Sequence, residues 1–138
     1  MVRRILAVSL LAALALVPAL HAAEPDSAPA LAATIEWLHQ IDAGKYGESW
    51  DAASGYFKGA LSREKWIEAM TGARKPLGSI ERRFVKGAKF RTTLPGAPDG
   101  EYFVIQFETN FEHKQDSVET VTAARQESVW KPAGYFIK

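Results

Sequence analysis

The stretch EYFVIQFETNF, residues 101–111, decides the fold class. Apolar side chains recur on every second residue, at Phe103, Ile105, Phe107 and Phe111, while mostly polar residues lie between them. A period of two places one set of side chains on one face of a β-strand. The stretch therefore predicts a strand with one strongly apolar face, which other elements must cover.

Three further strands are predicted around this one. Residues 80–93 precede it and are separated from it by the Pro/Gly loop LPGAPDG. Residues 117–126 and 128–137 follow it, with a tight turn near Glu127 between them. The chain then ends in a strand that contains Pro132, and proline favours an edge or a bulge because it cannot donate to a ladder. We expect a roughly four-stranded antiparallel sheet.

Upstream of the strands the apolar period changes to three or four residues, which is typical of helices. The first helix is predicted from Leu31 to Gly44, and a second, shorter one over residues 46–60. A third is predicted after an N-cap at Ser62, and it ends before Pro76. Three helices followed by a run of strands indicate an α+β domain with the helices packed on one face of the antiparallel sheet.

The first 22 residues have the features of a secretory signal peptide. Two arginines, Arg3 and Arg4, precede an apolar run too short to span a bilayer comfortably, and small residues follow at Ala22 and Ala23. We therefore predict a cleaved signal peptide over residues 1–22, a flexible leader over 23–30 and a single domain over 31–138. The expected location is periplasmic or secreted, with no membrane span after cleavage.

Composition restricts the classes of partner. The whole chain has 17 Lys and Arg against 16 Asp and Glu. Cleavage would remove two of the basic residues and none of the acidic ones, which leaves a formal charge of −1. Nucleic-acid binding through bulk charge is therefore not expected. Cysteine is absent, so neither a disulfide nor a lipid on a cysteine is expected.

Several motifs follow one another in an order that is shared with a known family. They are WL at 37–38 with Asp42, YGESW, Trp66, RKPLG at 74–78, LPGAPDGEY at 94–102, ETVT at 119–122 and WKPAGYFI at 130–137. This succession resembles the bacterial family called domain of unknown function 4019. The resemblance implies a small exported protein and names no activity. One departure is the last hairpin turn, where residues 126–128 replace the family's usual glycine.

The order of helices and then sheet also resembles the nuclear transport factor 2-like cone at the level of architecture. That scaffold hosts both binding pockets and enzymes, so the likeness does not select between them.

Few residues in the mature chain point to chemistry. His39 lies three residues from both Glu36 and Asp42, a spacing that could line one side of a helix and serve a metal or a general base. A solvated helix face is the favoured interpretation, because no second histidine or cysteine has ligand spacing. No nucleophile elbow or phosphate-binding loop is present. We therefore predict no catalytic residue, no metal and no cofactor.

Basic residues are concentrated between Arg74 and Arg91, where seven of them accompany Glu81 alone, and acidic residues dominate residues 99–127. Ion pairs between neighbouring strands would account for this asymmetry. Alternatively, Arg74 or Arg82 points to the concave side of the sheet and holds a small anionic ligand. The ligand-binding candidates are then Arg74, Arg82, Tyr102, Glu119 and Tyr135.

Three functional hypotheses follow. The leading one is a non-enzymatic envelope protein that binds a partner protein or a small ligand through the concave face or an exposed edge of its sheet. The second is a small cone-fold enzyme with Asp42, His39 or Glu119 as acid or base in a pocket. The third is a homodimer that associates through the sheet.

Overall fold

The structure is a computed structural model, and it describes residues 23–138. Residues 1–22, and with them the predicted signal peptide, lie outside the described residues. The described part runs through helices first and strands afterwards. The elements are α1 (Ala28–Asp42), α2 (Tyr46–Ala52), α3 (Gly55–Ala60), α4 (Arg63–Ala73), a short 3₁₀ turn (Lys75–Leu77), β1 (Ile80–Arg91), β2 (Tyr102–Phe111), β3 (Lys114–Gln126) and β4 (Val129–Ile137).

The strands form one sheet in the order β1-β2-β3-β4, and every neighbouring pair is antiparallel. This confirms the predicted α+β class and the four-stranded antiparallel sheet. A two-residue turn joins β3 to β4, and both of its residues, Glu127 and Ser128, have positive φ, at 50° and 70°. Positive φ at both positions is typical of the type I′ hairpin turn. The tight turn predicted near Glu127 is confirmed, and it lacks the glycine that this backbone favours.

The first helix begins earlier than predicted. It starts at Ala28 instead of Leu31, since Pro29 suits the first helical turn and Ala30 is fully buried. The last residues of the expected leader, 28–30, are therefore helical.

The predicted second helix, residues 46–60, is two helices. Ala53 and Ser54 adopt extended backbone between α2 and α3, and the Ser54 hydroxyl accepts a hydrogen bond from the Phe57 N–H as an N-cap. The described part of the chain thus has four helices where three were predicted. The predicted N-cap at Ser62 is confirmed, because its hydroxyl accepts from the Lys65 N–H.

An aromatic cluster of Trp37, Phe57, Trp66 and Tyr135 joins the helices to the last strand. Trp37 and Trp66 stack with their ring centroids 5.8 Å apart, and Tyr135 meets both rings edge-on. Ser49 accepts both indole N–H groups, with its backbone oxygen from Trp37 and its hydroxyl from Trp66. The residues near the C-terminus are therefore part of the core.

Candidate functional site

Four charged side chains form one network where the ends of α1 and α4 meet β1 and β3. We call Asp42, Arg74, Arg83 and Glu119 the charge network. Arg83 occupies its centre: its guanidinium donates to Glu119 at 2.7 and 3.1 Å and to Asp42 at 2.7 and 2.9 Å. Arg74 donates to Asp42 at 3.3 Å. Two cations and two anions balance each other, so the network carries no formal net charge.

Glu119 is fully buried, and its carboxylate is saturated with hydrogen bonds. One oxygen accepts from Arg83 Nε and from Thr109 Oγ1, the other from Arg83 Nη2 and from the Tyr135 hydroxyl. A carboxylate offers about four lone-pair sites, and here four donors of the protein itself occupy them. Glu119 could therefore act as an acid or base only if some of these bonds were broken.

The network also fixes the protonation of Arg83 and of Tyr135, whose hydroxyl donates to Glu119. Burial lowers the pKa of Arg83, but the hydrogen bonds that Arg83 donates to Asp42 and Glu119 outweigh this effect, and the net pKa is raised. Burial raises the pKa of Tyr135, and the negative charge of Glu119 raises it further. A buried anion disfavours a second negative charge nearby, so the Tyr135 phenol stays neutral and acts as a donor.

The structure brings together three of the five predicted ligand-binding candidates, namely Arg74, Glu119 and Tyr135. Arg82 lies on the opposite face of the sheet, where its guanidinium stacks over the Phe84 ring at 4.8 Å. Tyr102 lies at the far end of β2 and donates its hydroxyl to the Pro98 carbonyl at 2.5 Å. These two candidates do not share a site with the other three.

Arg83, the centre of the network, was not among the predicted residues. A β-bulge interrupts the pairing of β1 with β2 between Ile80 and Arg82, so that Glu81 is an extra residue. Without the bulge, strict alternation from the inward-facing Ile80 would turn Arg82 inward; with it, Arg83 faces the helices. The sequence carries no signal for this bulge.

The predicted acid or base residues on α1 differ in exposure. His39 is exposed, whereas the side chain of Asp42 is one-fifth exposed and is held by both arginines of the network. Both residues line a depression of about 390 Å³ between α1 and β1, together with Ile35, Ile80, Arg83, Val85 and Phe107. Within residues 23–138, no three His, Cys, Asp or Glu side chains gather in a metal-binding arrangement.

The outer edge of β1 is a second feature, and it is uncovered. Among the described residues, no backbone–backbone hydrogen bond outside the sheet ladder involves residues 80–91, although the Phe90 carbonyl accepts from the Arg91 guanidinium. The side chains of Phe84 and Val85 are about half exposed, at 53% and 46%. Such an edge offers a row of backbone donors and acceptors to another strand.

Four basic side chains line this strand, and we call them the basic edge: Arg82, Lys86, Lys89 and Arg91. All four are exposed, and the described part of the chain forms no ion pair with any of them. The predicted ion pairs between this basic segment and a neighbouring strand are not found in residues 23–138, because Arg83 pairs with Glu119 of β3 and with Asp42 of α1, and neither lies on the neighbouring strand β2. The charge of the basic edge is available to a partner.

The opposite edge of the sheet, β4, is closed only near Pro132, whereas Val129 and Phe136 remain exposed. Pro132 is buried, and its carbonyl accepts a hydrogen bond from the Ser54 N–H at 2.8 Å. α1 and α3 both pack against this strand. The prediction that the strand with Pro132 lies at an edge or a bulge is confirmed, but the uncovered edge is β1.

Comparison with known proteins adds a family. A family model described as "Protein of unknown function (DUF4019)" matches residues 33–135, so the chain belongs to that family. No curated protein matches the chain. None of the helices in residues 23–138 combines the length and the apolar character that crossing a bilayer requires.

Proposed function

We propose that the protein is an exported, non-enzymatic interaction module, and that it takes up an extended segment of a partner protein as a fifth strand on the edge of β1. The observation that carries this proposal is the difference between the two edges of the sheet. β1 presents twelve residues without a neighbour on its outer side, whereas α1 and α3 pack against β4 and the Ser54 N–H donates to its Pro132 carbonyl. Strand addition uses main-chain hydrogen bonds for affinity and alternate side chains for specificity.

The charge network supports a protein partner over a small anionic ligand. Arg74 is almost fully buried, and it already donates to Asp42 and to the Gly78 carbonyl. An anion could reach the remaining N–H groups of Arg74 only by entering this buried site, where it would compete with Asp42 for the guanidinium. Removing one partner from a buried ion pair is costly, on the order of 3–5 kcal/mol.

The basic edge supports a partner other than a second copy of the chain. Two β1 strands paired with each other would bring Arg82, Lys86, Lys89 and Arg91 of each copy together. Like charges on neighbouring strands destabilise the pairing. A homodimer that pairs two β1 edges is therefore disfavoured.

The strand-addition proposal is tested by selecting binding peptides from an unbiased display library and mapping them on the purified protein by amide hydrogen exchange. We expect protection to be concentrated in residues 80–91, with little change in β4. N-methylation of alternate backbone amides of a bound peptide leaves its side chains intact and should abolish binding, because it removes ladder donors. Protection confined to β4 or to the helices, or binding that survives every N-methylation pattern, would overturn the proposal.

Export is the second part of the proposal, and residues 1–22 support it. The test is the intact mass of the protein recovered from the envelope fraction of its own host. We expect a chain that begins after Ala22 or Ala23. A full-length chain recovered from the cytosolic fraction would contradict export and would leave the strand-addition proposal unaffected.

A further inference from the structure

We infer that the segment received by β1 is one in which acidic and apolar residues alternate. This inference rests on the proposed function and specifies the chemistry of the partner. An added strand places successive side chains on opposite faces of the sheet. The two sides of β1 are chemically different, so each side selects a different kind of residue.

On the open side of the sheet, β1 presents three basic side chains together with the half-exposed Phe84. Arg82 pairs with Asn110 of β2, Lys89 with Val104 and Arg91 with Tyr102, and these partners point away from the helices. No helix covers this side of β1, and the three basic residues are exposed. Opposite charges on neighbouring strands stabilise pairing, so a partner strand should place acidic residues on this side.

On the helix side, β1 presents apolar surface. Val85 pairs with the buried Phe107, which shows that it faces the helices, yet 46% of its surface is exposed because no helix extends over it. Ile35 of α1, half-buried, lies across the depression of about 390 Å³ that Val85 also lines. The charges at its rim, Asp42 and Arg83, already satisfy each other. An apolar side chain of the partner would cover this surface.

A bulge at Lys86 divides the strand but keeps the alternation. The register shifts between Val85 and Gly87, so residues 82 and 84 before it and residues 87, 89 and 91 after it share the open side. We expect regular pairing over residues 87–91 and an interruption opposite Lys86. A bulge and lysines on an edge strand both oppose nonspecific pairing with other strands. The lysines attract an acidic strand and repel a basic one.

The experiment compares three synthetic peptides of about ten residues, the length of an ordinary strand. In the first, glutamate alternates with valine. The second has the same composition with glutamates and valines in separate blocks, and the third replaces every glutamate with lysine. Binding to the purified protein is measured by fluorescence anisotropy, and the site by amide hydrogen exchange.

We expect the alternating peptide to bind about tenfold more tightly than the block peptide, because the block arrangement loses several cross-strand pairs together. The lysine peptide should not bind. Protection should fall on residues 87–91. In the protein, Lys89→Glu should lower the affinity for the alternating peptide. Lys58→Glu, which lies on α3 and away from the strand, should leave this affinity unchanged.

The outcomes separate the two proposals. If the block peptide, or a library peptide of another composition, protects β1 and the alternating peptide does not, the partner chemistry is wrong and strand addition stands. If library selection gives no peptide that protects β1, strand addition itself is wrong. Equal binding of the alternating and block peptides also overturns the inference.

Discussion

The two outer strands of this sheet each expose large apolar side chains, Phe84 and Val85 on β1 and Val129 and Phe136 on β4, and they differ in their contacts with the helices. α1 and α3 pack against β4, and its Pro132 carbonyl accepts a hydrogen bond from Ser54. β1 has no such cover, and it carries exposed charge and half-exposed Phe84 and Val85. The comparison teaches that position in a sheet does not decide whether an edge is available. What decides it is which strands the helices reach.

The largest effect is expected when most of β4 is removed. Deleting residues 130–138 removes Tyr135 and Trp130 from the core and exposes Glu119 on a new edge strand. We expect cooperative unfolding to be lost, because burying an aromatic side chain of this kind contributes several kcal/mol and the total stability of a domain is about 5–15 kcal/mol. Near-ultraviolet circular dichroism during heating measures this. A truncated protein with an unchanged melting temperature would contradict it.

The next test concerns what holds β1 in place on the helix side, namely Arg83. Glu119→Gln leaves a mostly buried guanidinium facing a neutral amide, and we expect a loss of about 3–5 kcal/mol in the free energy of unfolding. Urea unfolding measures this loss, and hydrogen exchange should accelerate in β1 before β4.

The matched control for this test removes one cation and one anion together. The double variant Arg83→Met with Glu119→Leu leaves no unpaired buried charge. It should therefore be more stable than Arg83→Met alone or Glu119→Leu alone. If the double variant loses as much free energy of unfolding as the two single variants together, the charge network does not act as a unit.

Alkaline pH tests Tyr135 of β4, whose hydroxyl donates to Glu119 of the charge network. The Tyr135 pKa is raised in the folded state, chiefly by burial, whereas in the unfolded chain tyrosine ionises near pH 10. Above that pH the unfolded state binds fewer protons than the folded state, so stability falls as the pH rises, by about 1.4 kcal/mol per pH unit.

The measurement is urea unfolding of the wild-type protein and of Tyr135→Phe on both sides of about pH 10. The variant has no phenol at this position, so its stability should fall less steeply. Parallel curves for the two proteins would mean that Tyr135 ionises normally in the folded state.

A smaller effect is expected at the turn that leads into β4. Glu127 and Ser128 hold positive φ without being glycine, so Glu127→Asn with Ser128→Gly should stabilise the protein by about 0.5–1 kcal/mol. The midpoint of thermal unfolding measures it. Ala133→Gly is the control. It places glycine in β4 at a residue whose φ is not positive, so it should destabilise the protein.

The smallest effect on stability is expected on the open edge. Lys86→Ser with Lys89→Ser should change the free energy of unfolding by no more than about 0.5 kcal/mol, since both side chains are exposed and form no ion pair among the described residues. Self-association should nevertheless increase, because lysines on an edge oppose strand pairing between copies. Sedimentation velocity at rising concentration detects it, and a variant that stays monomeric would show that the lysines do not protect the edge.

Much of the fold could be predicted because its periods are visible in the sequence. The two-residue period of β2 and the N-cap at Ser62 each correspond to a local physical preference. The break at Ser54 was missed because the apolar spacing continues across it from Trp50 to Phe57. Tertiary contact with Pro132 competes with the helical pattern there.

The candidate site could be predicted only in part. Arg74 was predicted from the concentration of basic residues between Arg74 and Arg91, and Glu119 and Tyr135 were predicted as hydrogen-bonding companions for an anionic ligand. Arg83 was missed in favour of Arg82, since one extra residue at Glu81 exchanges the faces of the strand. The open edge at β1 depends on how far the helices extend, which is a property of packing and leaves no mark in local sequence.

The bond between Ser54 and Pro132 also orders events during synthesis. α3 and the turn before it are translated early, yet their backbone partner and the aromatic side chain of Tyr135 arrive with the last strand. A core closed by such distant residues forms slowly, and it cannot be completed before β4 has left the ribosome. Until then the helices of the nascent chain lack the strand that completes their aromatic cluster.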